Sequence, residues 1–235
     1  MKIPYIDLKK QWKNEKKILY PIIKKIFERG NYVGGSEIPK FEKKIAKICK
    51  TKYAVALNSG TDALLLGLCL LGVKRGDEVI TPPNSFIAST TVIAHVGAKP
   101  IFVDVQDDQN INPELIEKSI TKKTKAIMPV HLTGRICEMK EIMRISKKYG
   151  IPIIEDAAQA VGSKYYGKKS GSFGEIGCFS AHPLKNLNAC GDSGFITTDN
   201  YSYYKKGIEL RNHGLEDRNR VKRFGFLSRM DNLQA

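Results

Sequence analysis

The sequence predicts an α/β domain with a mostly parallel central sheet and helices on both faces. Short apolar runs alternate with amphipathic segments along the chain, the rhythm of strands and the helices that cover them. With 235 residues, 42% hydrophobic and 27% charged, the chain can bury a sizeable core and has an ordinary globular composition. No repeat, low-complexity tract or linker interrupts it, so residues 1–235 are expected to form one domain.

The elements follow in order. Residues 13–29 read as a helix ending at Gly30, and "YVGGS" as a turn. Ser36 is the expected cap of a helix over 37–50, where Ile38, Phe41, Ile45 and Ile48 recur at helical spacing. "YAVAL" (53–57) reads as a buried strand, and "NSGTD" opens a helix through "ALLLGLCLLG". "DEVITPP" and "KPIFVDV" are strands. Asn112, Pro113 and Glu114 supply a cap, a first-turn proline and a first-turn acid for the next helix. "KAIMPVHL" and "IPIIEDAA" are strands flanking a helix over 137–149. "EIGCFSA" and "GFITT" are two more strands, and "YYKKGIELRN" is a helix. The last residues, "SRMDNLQA", read as the start of a further helix.

Several function classes are excluded early. The N-terminus "MKIPYIDLKKQW" carries no uninterrupted apolar stretch, and no later run approaches the roughly 20 apolar residues of a membrane span. A cytoplasmic protein without membrane contact is the expectation. Cys49, Cys69, Cys137, Cys178 and Cys190 are far apart, the pattern of reduced thiols and not of a disulfide frame or zinc site. The four histidines are equally scattered. The net charge of +15 raises nucleic-acid binding. However, the lysines are spread through nearly every helical segment, as in "KFEKKIAKICK", and no nucleic-acid motif accompanies them. Solvated helix faces are the expected reading, with no specific nucleic-acid partner.

In open α/β sheets ligands sit beyond the carboxyl ends of the strands. "NSGTD" (58–62) leaves a strand and enters a helix, so its N–H groups and helix dipole form an anion cradle suited to phosphate. Gly162, Gly167 and Lys168 approach the GxxxxGK pattern, but Lys169 stands where Ser or Thr should hold magnesium, which rejects a P-loop. Glu155 and Asp156 end a very apolar strand, and alternation puts them on opposite sides, so one can face the crevice. A buried carboxylate there needs a cationic partner. Gln159 can share a helical face with Asp156. Phe86 follows another strand end and can cover a planar ring. In "SAHPLKNLNACGDSG", Lys185 is framed by Pro183 and Asn186, and a lysine with a depressed pKa forms Schiff bases with carbonyls. Together these are the parts pyridoxal 5'-phosphate (PLP) requires: a phosphate anchor, a stacking surface, a pyridinium partner and a Schiff-base lysine.

At the same residues the chain resembles the DegT/StrS nucleotide-sugar aminotransferases, of the aspartate-aminotransferase-like PLP fold. The ordered matches run from "IDLKKQW" through "NSGTDAL", "GDEVITPPNSF", "VGAKPIFVDV", "MPVHLTGR", "IEDAAQA", "GCFSAHPLKN" and "RNHG" to "SRMDNLQA". The resemblance implies a PLP-dependent transferase large domain whose smaller C-terminal domain is largely absent, working as a homodimer. It implies that Lys185 binds the cofactor and moves protons between its carbon atoms. Asp156 is then the partner of the pyridinium nitrogen, Gln159 lies near the ring hydroxyl, and Phe86 is the stacking aromatic. Gly60, Thr61, Asp62 and Ser180 are then the phosphate anchor. The implied reaction passes an amino group, usually from glutamate, to the keto carbon of a nucleotide-linked deoxysugar, for surface polysaccharide or glycosylated products.

A sister branch of sugar dehydratases carries histidine at the lysine position, so Lys185 favours transamination. The usual "GYNSR" reads "GFLSR" here, which puts Leu227 where an asparagine reaches the partner subunit's cofactor phosphate, with Arg229 as a nearby compensating donor. Leu227 and the missing smaller domain leave open a non-catalytic PLP-binding or regulatory relative, and a sugar dehydratase of the same family is the other alternative, which Lys185 counts against.

Overall fold

Helix α1 (Leu8–Arg29) opens the fold, capped by Asp7, whose carboxylate accepts from the Lys10 N–H, and closed by left-handed Gly30. The computed structural model describes residues 3–235. Helix α2 (Glu37–Cys49) leads into strand β1 (Tyr53–Leu57), then α3 (Gly60–Leu70), β2 (Glu78–Thr81), α4 (Ala88–His95) and β3 (Lys99–Phe102). Next come α5 (Pro113–Lys118), β4 (Thr124–Ile127), α6 (Met139–Tyr149) and β5 (Ile154–Asp156). A small hairpin, β6 (Lys164–Tyr165) and β7 (Lys168–Lys169), precedes β8 (Ile176–Ser180) and β9 (Gly194–Thr198). Helix α7 (Tyr201–Leu210) and a second hairpin, β10 (Leu215–Asp217) and β11 (Arg220–Val221), follow.

The strands form two ladders, β1-β9-β8-β5 and β3-β2-β4. Parallel bridges Ile127↔Ile153 and Val130↔Asp156 join them into one sheet between β4 and β5. The β5–β8, β2–β4 and β2–β3 pairings are parallel as well, whereas β9 runs antiparallel to both β1 and β8. The sheet is therefore mixed, with one reversed strand between two forward ones. Its reversal brings the start of β9, Gly194, beside Leu57 and Ser180, the carboxyl ends of β1 and β8.

Period-two alternation sorts the core into two layers. Val55, Leu57, Val79, Ala126, Ile154, Cys178 and Ile196 pack with α3 and the apolar side of α7. Ile80, Ile127 and Ile153 face the other way, onto Ile142 and Ile145 of α6. Ala54, Phe179 and Phe195 meet Ile45, Ala46 and Cys49 of α2, with the Phe179 and Phe195 rings stacked at 4.7 Å. Helices thus cover both faces, as the sequence predicts.

Three local expectations are corrected. Ser36 starts α2, but its side chain caps nothing, because it sits in helical φ/ψ and turns to the Glu37 carboxylate. Ile48 is 43% exposed, since the inward face of α2 is completed by Glu42, Ala46 and Cys49. No helix begins at 228–235: Asp231 bridges to Val33 and the following residues form a turn, tied by the Asn232 side chain to Asn31 and Gly35. Helix α4 and both hairpins were not predicted, because their apolar residues are few and carry no clear period.

Glu42 is buried for a reason local patterning does not show. Strand β1 is the sheet edge, and there the Ala56 N–H donates 2.9 Å to the Glu42 carboxylate while Arg211 Nη1 donates 2.9 Å to the Ala56 carbonyl. Glu42 and Arg211 also pair directly. An ion pair therefore satisfies the open edge where another chain's strand could otherwise dock. Arg211→Ala leaves the Glu42 charge buried without its partner and is expected to cost about 3 kcal/mol, read as a lower urea midpoint at unchanged slope.

Candidate functional site at the carboxyl edge of the sheet

The two carboxylates that end β5 are treated in opposite ways. Glu155 is fully buried, and its Oε1 accepts from the N–H groups of Phe173 at 2.7 Å and Gly174 at 2.8 Å. Its Oε2 accepts from the Gly171 N–H at 2.7 Å and meets His131 Nε2 at 3.0 Å. A carboxylate offers about four acceptor positions, so Glu155 is saturated. Burial opposes charge on His131, but Cys137 and the Glu155 carboxylate outweigh it and raise the imidazole pKa. Glu155 holds the 171–174 loop against the sheet and is not available to a ligand.

Asp156 is also buried, at 5% exposure, yet accepts only from Ser89 Oγ at 2.7 Å and the Ala158 N–H at 3.2 Å. Burial pushes its pKa above the usual carboxylate value. Ser89, the Ala158 N–H, His131 and Lys185 pull it back only in part. An under-satisfied buried carboxylate stabilises any cation brought to it. Residues after Asp156 form a turn and not a helix, so Gln159 does not share a helical face with it; Gln159 is half-buried on that turn.

Lys185 stands on a loop pinned at both ends. Ala181 N–H donates to the Ser193 carbonyl and Ala189 N–H to Ala181, each at 2.8 Å. Inside it, the Lys185 N–H donates to the His182 carbonyl at 2.8 Å, and the Leu184 N–H donates to His182 Nδ1 at 3.2 Å. Asn186 reaches the Val161 carbonyl at 2.9 Å, while Asn188 holds the Pro183 carbonyl at 3.1 Å and exchanges two bonds with Gln11 of α1. The turn is thus fixed by both asparagines. Among the described residues Lys185 Nζ forms no ion pair; its charge is near enough to act on Asp156.

The N-terminus of α3 completes the edge. Ser59 caps it, its hydroxyl accepting from the Asp62 N–H at 3.0 Å, while the Asp62 carboxylate accepts from Ser228 Oγ at 2.6 Å. With Asp62 engaged twice, the N–H groups of Gly60 and Thr61 are the ones left without an intrahelical partner. A Cβ on Gly60 would lie 2.6 Å from Ser180 Cβ, and one on Gly194 would lie 2.3 Å from the Ser59 carbonyl. Only glycine lets the helix end settle this low on β8 and β9. The buried Ser180 lies directly beside the cradle, its hydroxyl accepting from the His182 N–H at 3.3 Å. Phe86, two residues before α4, is 69% exposed. Leu227 is 60% exposed and bridges to Asn212, and Arg229 bonds the Asn212 side chain at 3.0 Å.

Ser85, Ser89 and the cap residue Ser59 belong to this constellation and were not singled out from the sequence. Ser59 has a signal, a serine three residues before an acid at a strand–helix junction. Ser89 has none, since its partner lies 67 residues away.

Comparison with known proteins supplies an independent line. Residues 14–235 match the DegT/DnrJ/EryC1/StrS aminotransferase family. A UDP-2-acetamido-2-deoxy-3-oxo-D-glucuronate aminotransferase of Pseudomonas aeruginosa is 39% identical over 234 residues, covering 99% of this chain and 65% of its own length. A dTDP-3-amino-3,4,6-trideoxy-alpha-D-glucose transaminase of Streptomyces venezuelae is 37% identical over 235 residues, covering 100% and 62%. The crystal structure of NtdA from Bacillus subtilis with bound cofactor PMP superposes with a TM-score of 0.93 at 37% identity, covering 99% of this chain and 54% of that one. The chain thus spans a little under two thirds of the length of these curated relatives.

Because the folded-state pKa of Asp156 is raised, native stability falls as pH rises through that pKa. Asp156→Asn in the cofactor-free chain is therefore expected to melt at a higher temperature than the native protein at pH 7. The difference should shrink on acidification, where the native carboxyl is protonated too. A thermal scan across pH that finds the variant no more stable at pH 7 would show that the charge carries no folding cost.

Proposed function

The chain belongs to the DegT/DnrJ/EryC1/StrS aminotransferase family, and on that premise we propose that it is the cofactor-binding part of a PLP-dependent sugar aminotransferase. Its reaction adds an amino group, drawn from glutamate, to the keto carbon of a nucleotide-linked sugar. The observation that carries this reading is the under-satisfied Asp156 at a strand end, within electrostatic reach of Lys185.

The residues fit PLP. A buried carboxylate short of donors suits a protonated ring nitrogen. The low-lying N-terminus of α3, with open Gly60 and Thr61 N–H groups beside the Ser180 hydroxyl, suits a phosphate. When bound, PLP supplies the electron sink that makes a C–H bond next to nitrogen acidic.

The chain's own groups then divide the work. Gly60 and Thr61 hold the phosphate through N–H donors and Ser180 through its hydroxyl, while Asp62 orders this corner through Ser228. Phe86 would cover the ring, and Gln159 would be the donor near the ring hydroxyl. Asp156 keeps the ring nitrogen charged. Lys185 Nζ would be the amine that holds the cofactor's aldehyde carbon, and the base that would carry a proton to the sugar carbon that gains nitrogen.

The names of the two sugar-acting relatives both place the reacting group at position 3, one on a UDP sugar and one on a dTDP sugar. That favours a 3-keto substrate over a 4-keto one. The product amino sugar would serve polysaccharide or other glycan assembly in the cytoplasm, in keeping with the described residues, among which no helix is long and apolar enough to cross a membrane. The exposed Phe86, Ile87, Leu184 and Leu227 support a homodimer in which a second copy covers an apolar rim. Leu227 would then meet its partner through apolar contact, where an asparagine would offer a hydrogen bond.

Incubating the chain with PLP, reducing with borohydride and mapping the peptides should put the pyridoxyl group on Lys185. With glutamate and a UDP- or dTDP-linked 3-keto sugar, mass spectrometry should detect the 3-amino sugar. Lys185→Ala should lose label and product while keeping its circular dichroism spectrum. Label without product from any keto sugar would reduce the function to cofactor binding. Label on another lysine would overturn the assignment of the site.

A further inference from the structure

Beyond the residues that contact the cofactor in that reading, the turn that enters α4 and the start of that helix hold two buried or half-buried hydroxyls in a row with Asp156. Ser85 Oγ and Ser89 Oγ are 2.7 Å apart, and Ser89 Oγ is 2.7 Å from Asp156 Oδ2. Ser89 is 1% exposed and Asp156 is 5% exposed. An ionised carboxylate can only accept, so the Ser89 hydroxyl donates to it. The Ser89 oxygen is then left to accept, and Ser85 is its donor. The bonds run one way, from Ser85 through Ser89 to Asp156.

The other carboxylate oxygen accepts from the Ala158 N–H. With one donor on each oxygen, the rotation of the carboxylate is restrained from both sides. The same short turn carries Phe86, whose carbonyl accepts from the Ser89 N–H at 3.2 Å. One turn of backbone therefore sets both the aromatic ring and the orientation of the acid.

We propose that Ser85 and Ser89 are a positioning pair that fixes the rotation and the ionised state of Asp156, and so set how firmly the site grips a protonated heterocyclic nitrogen. The proposal rests on the PLP reading for the identity of that heterocycle, but not for the hold on Asp156. Charged or titratable groups acting on or coupled to Asp156 are His131, Lys185 and Cys178, and none of these donates a hydrogen bond to it. Removing Ser89 leaves the Ala158 N–H as the one donor.

The test uses the whole chain and begins without cofactor. With aspartate labelled by carbon-13 at Cγ, and Asp156→Asn used to assign the resonance, Ser89→Ala should move the Asp156 titration midpoint upward. Ser85→Ala, which keeps the direct donor, should move it less. With PLP added, Ser89→Ala should weaken binding about tenfold, the size expected for one hydrogen bond to a charged group. The bound cofactor's absorbance should also change with pH at a different midpoint. In an Asp156→Asn background Ser89→Ala should add little, whereas a merely structural serine would cost the same in both. An unmoved carboxyl midpoint, or unchanged PLP affinity and absorbance profile, would overturn the role of Ser89. A native chain that shows the carboxyl response but binds no PLP would leave the serine–aspartate coupling standing and overturn the cofactor reading instead.

Discussion

The carboxyl edge of the sheet depends on the unequal satisfaction of two adjacent carboxylates. Glu155 and Asp156 are neighbours on β5, both buried, and strand alternation sends them to opposite faces. Glu155 meets four donors and becomes a structural hub that holds His131 and the 171–174 loop. Asp156 meets two and is left able to stabilise a cation. Had both been saturated, the edge would be rigid and inert. Had neither been, two buried charges side by side would be too costly to keep.

The reversed strand β9 gives this asymmetry its setting. Because β9 runs against β1 and β8, its first residue sits at the edge where those strands end. Gly194 and Gly60 have no side chain there, so the start of α3 drops onto the sheet within contact of Ser180. The helix end, the lysine loop and Asp156 then share one side of the molecule. Ties from distant elements hold them: Gln11 on Asn188, Ser228 on Asp62, and Ser89 on Asp156. Each tie joins segments far apart in the chain, so the edge is ordered by tertiary structure more than by local turns.

What the sequence made legible follows the same division. Strands β1, β2, β5, β8 and β9 were readable because apolar runs of their kind are fully buried on both faces. The Asn112 cap was readable because cap and helix are contiguous, and its side chain does accept from the Glu114 N–H. Ser36 carried the same signal and failed, because a cap needs an extended backbone that composition cannot guarantee. Lys185, Asp156, Phe86 and the 58–62 turn stood out as residue types in sequence order. Ser89 did not, nor did Glu42 and Arg211 at the sheet edge, because only folding makes them neighbours. The direction of β9 was equally hidden, since burial on both faces erases the pattern that distinguishes parallel from antiparallel strands.

The pairing of β1 also bears on how the chain is made. Strand β1 has β9 as its ladder neighbour, so residues 53–57 have no hydrogen-bonded strand beside them until residues 194–198 have left the ribosome. Strands β2, β3 and β4 can associate earlier, from a short stretch of sequence. During synthesis one apolar strand must wait, shielded by α2 and α3 alone, with the free edges that invite mispairing. The last strand of that ladder to arrive is the one on which the start of α3 is seated, so the nascent chain cannot finish this edge before its sheet is complete.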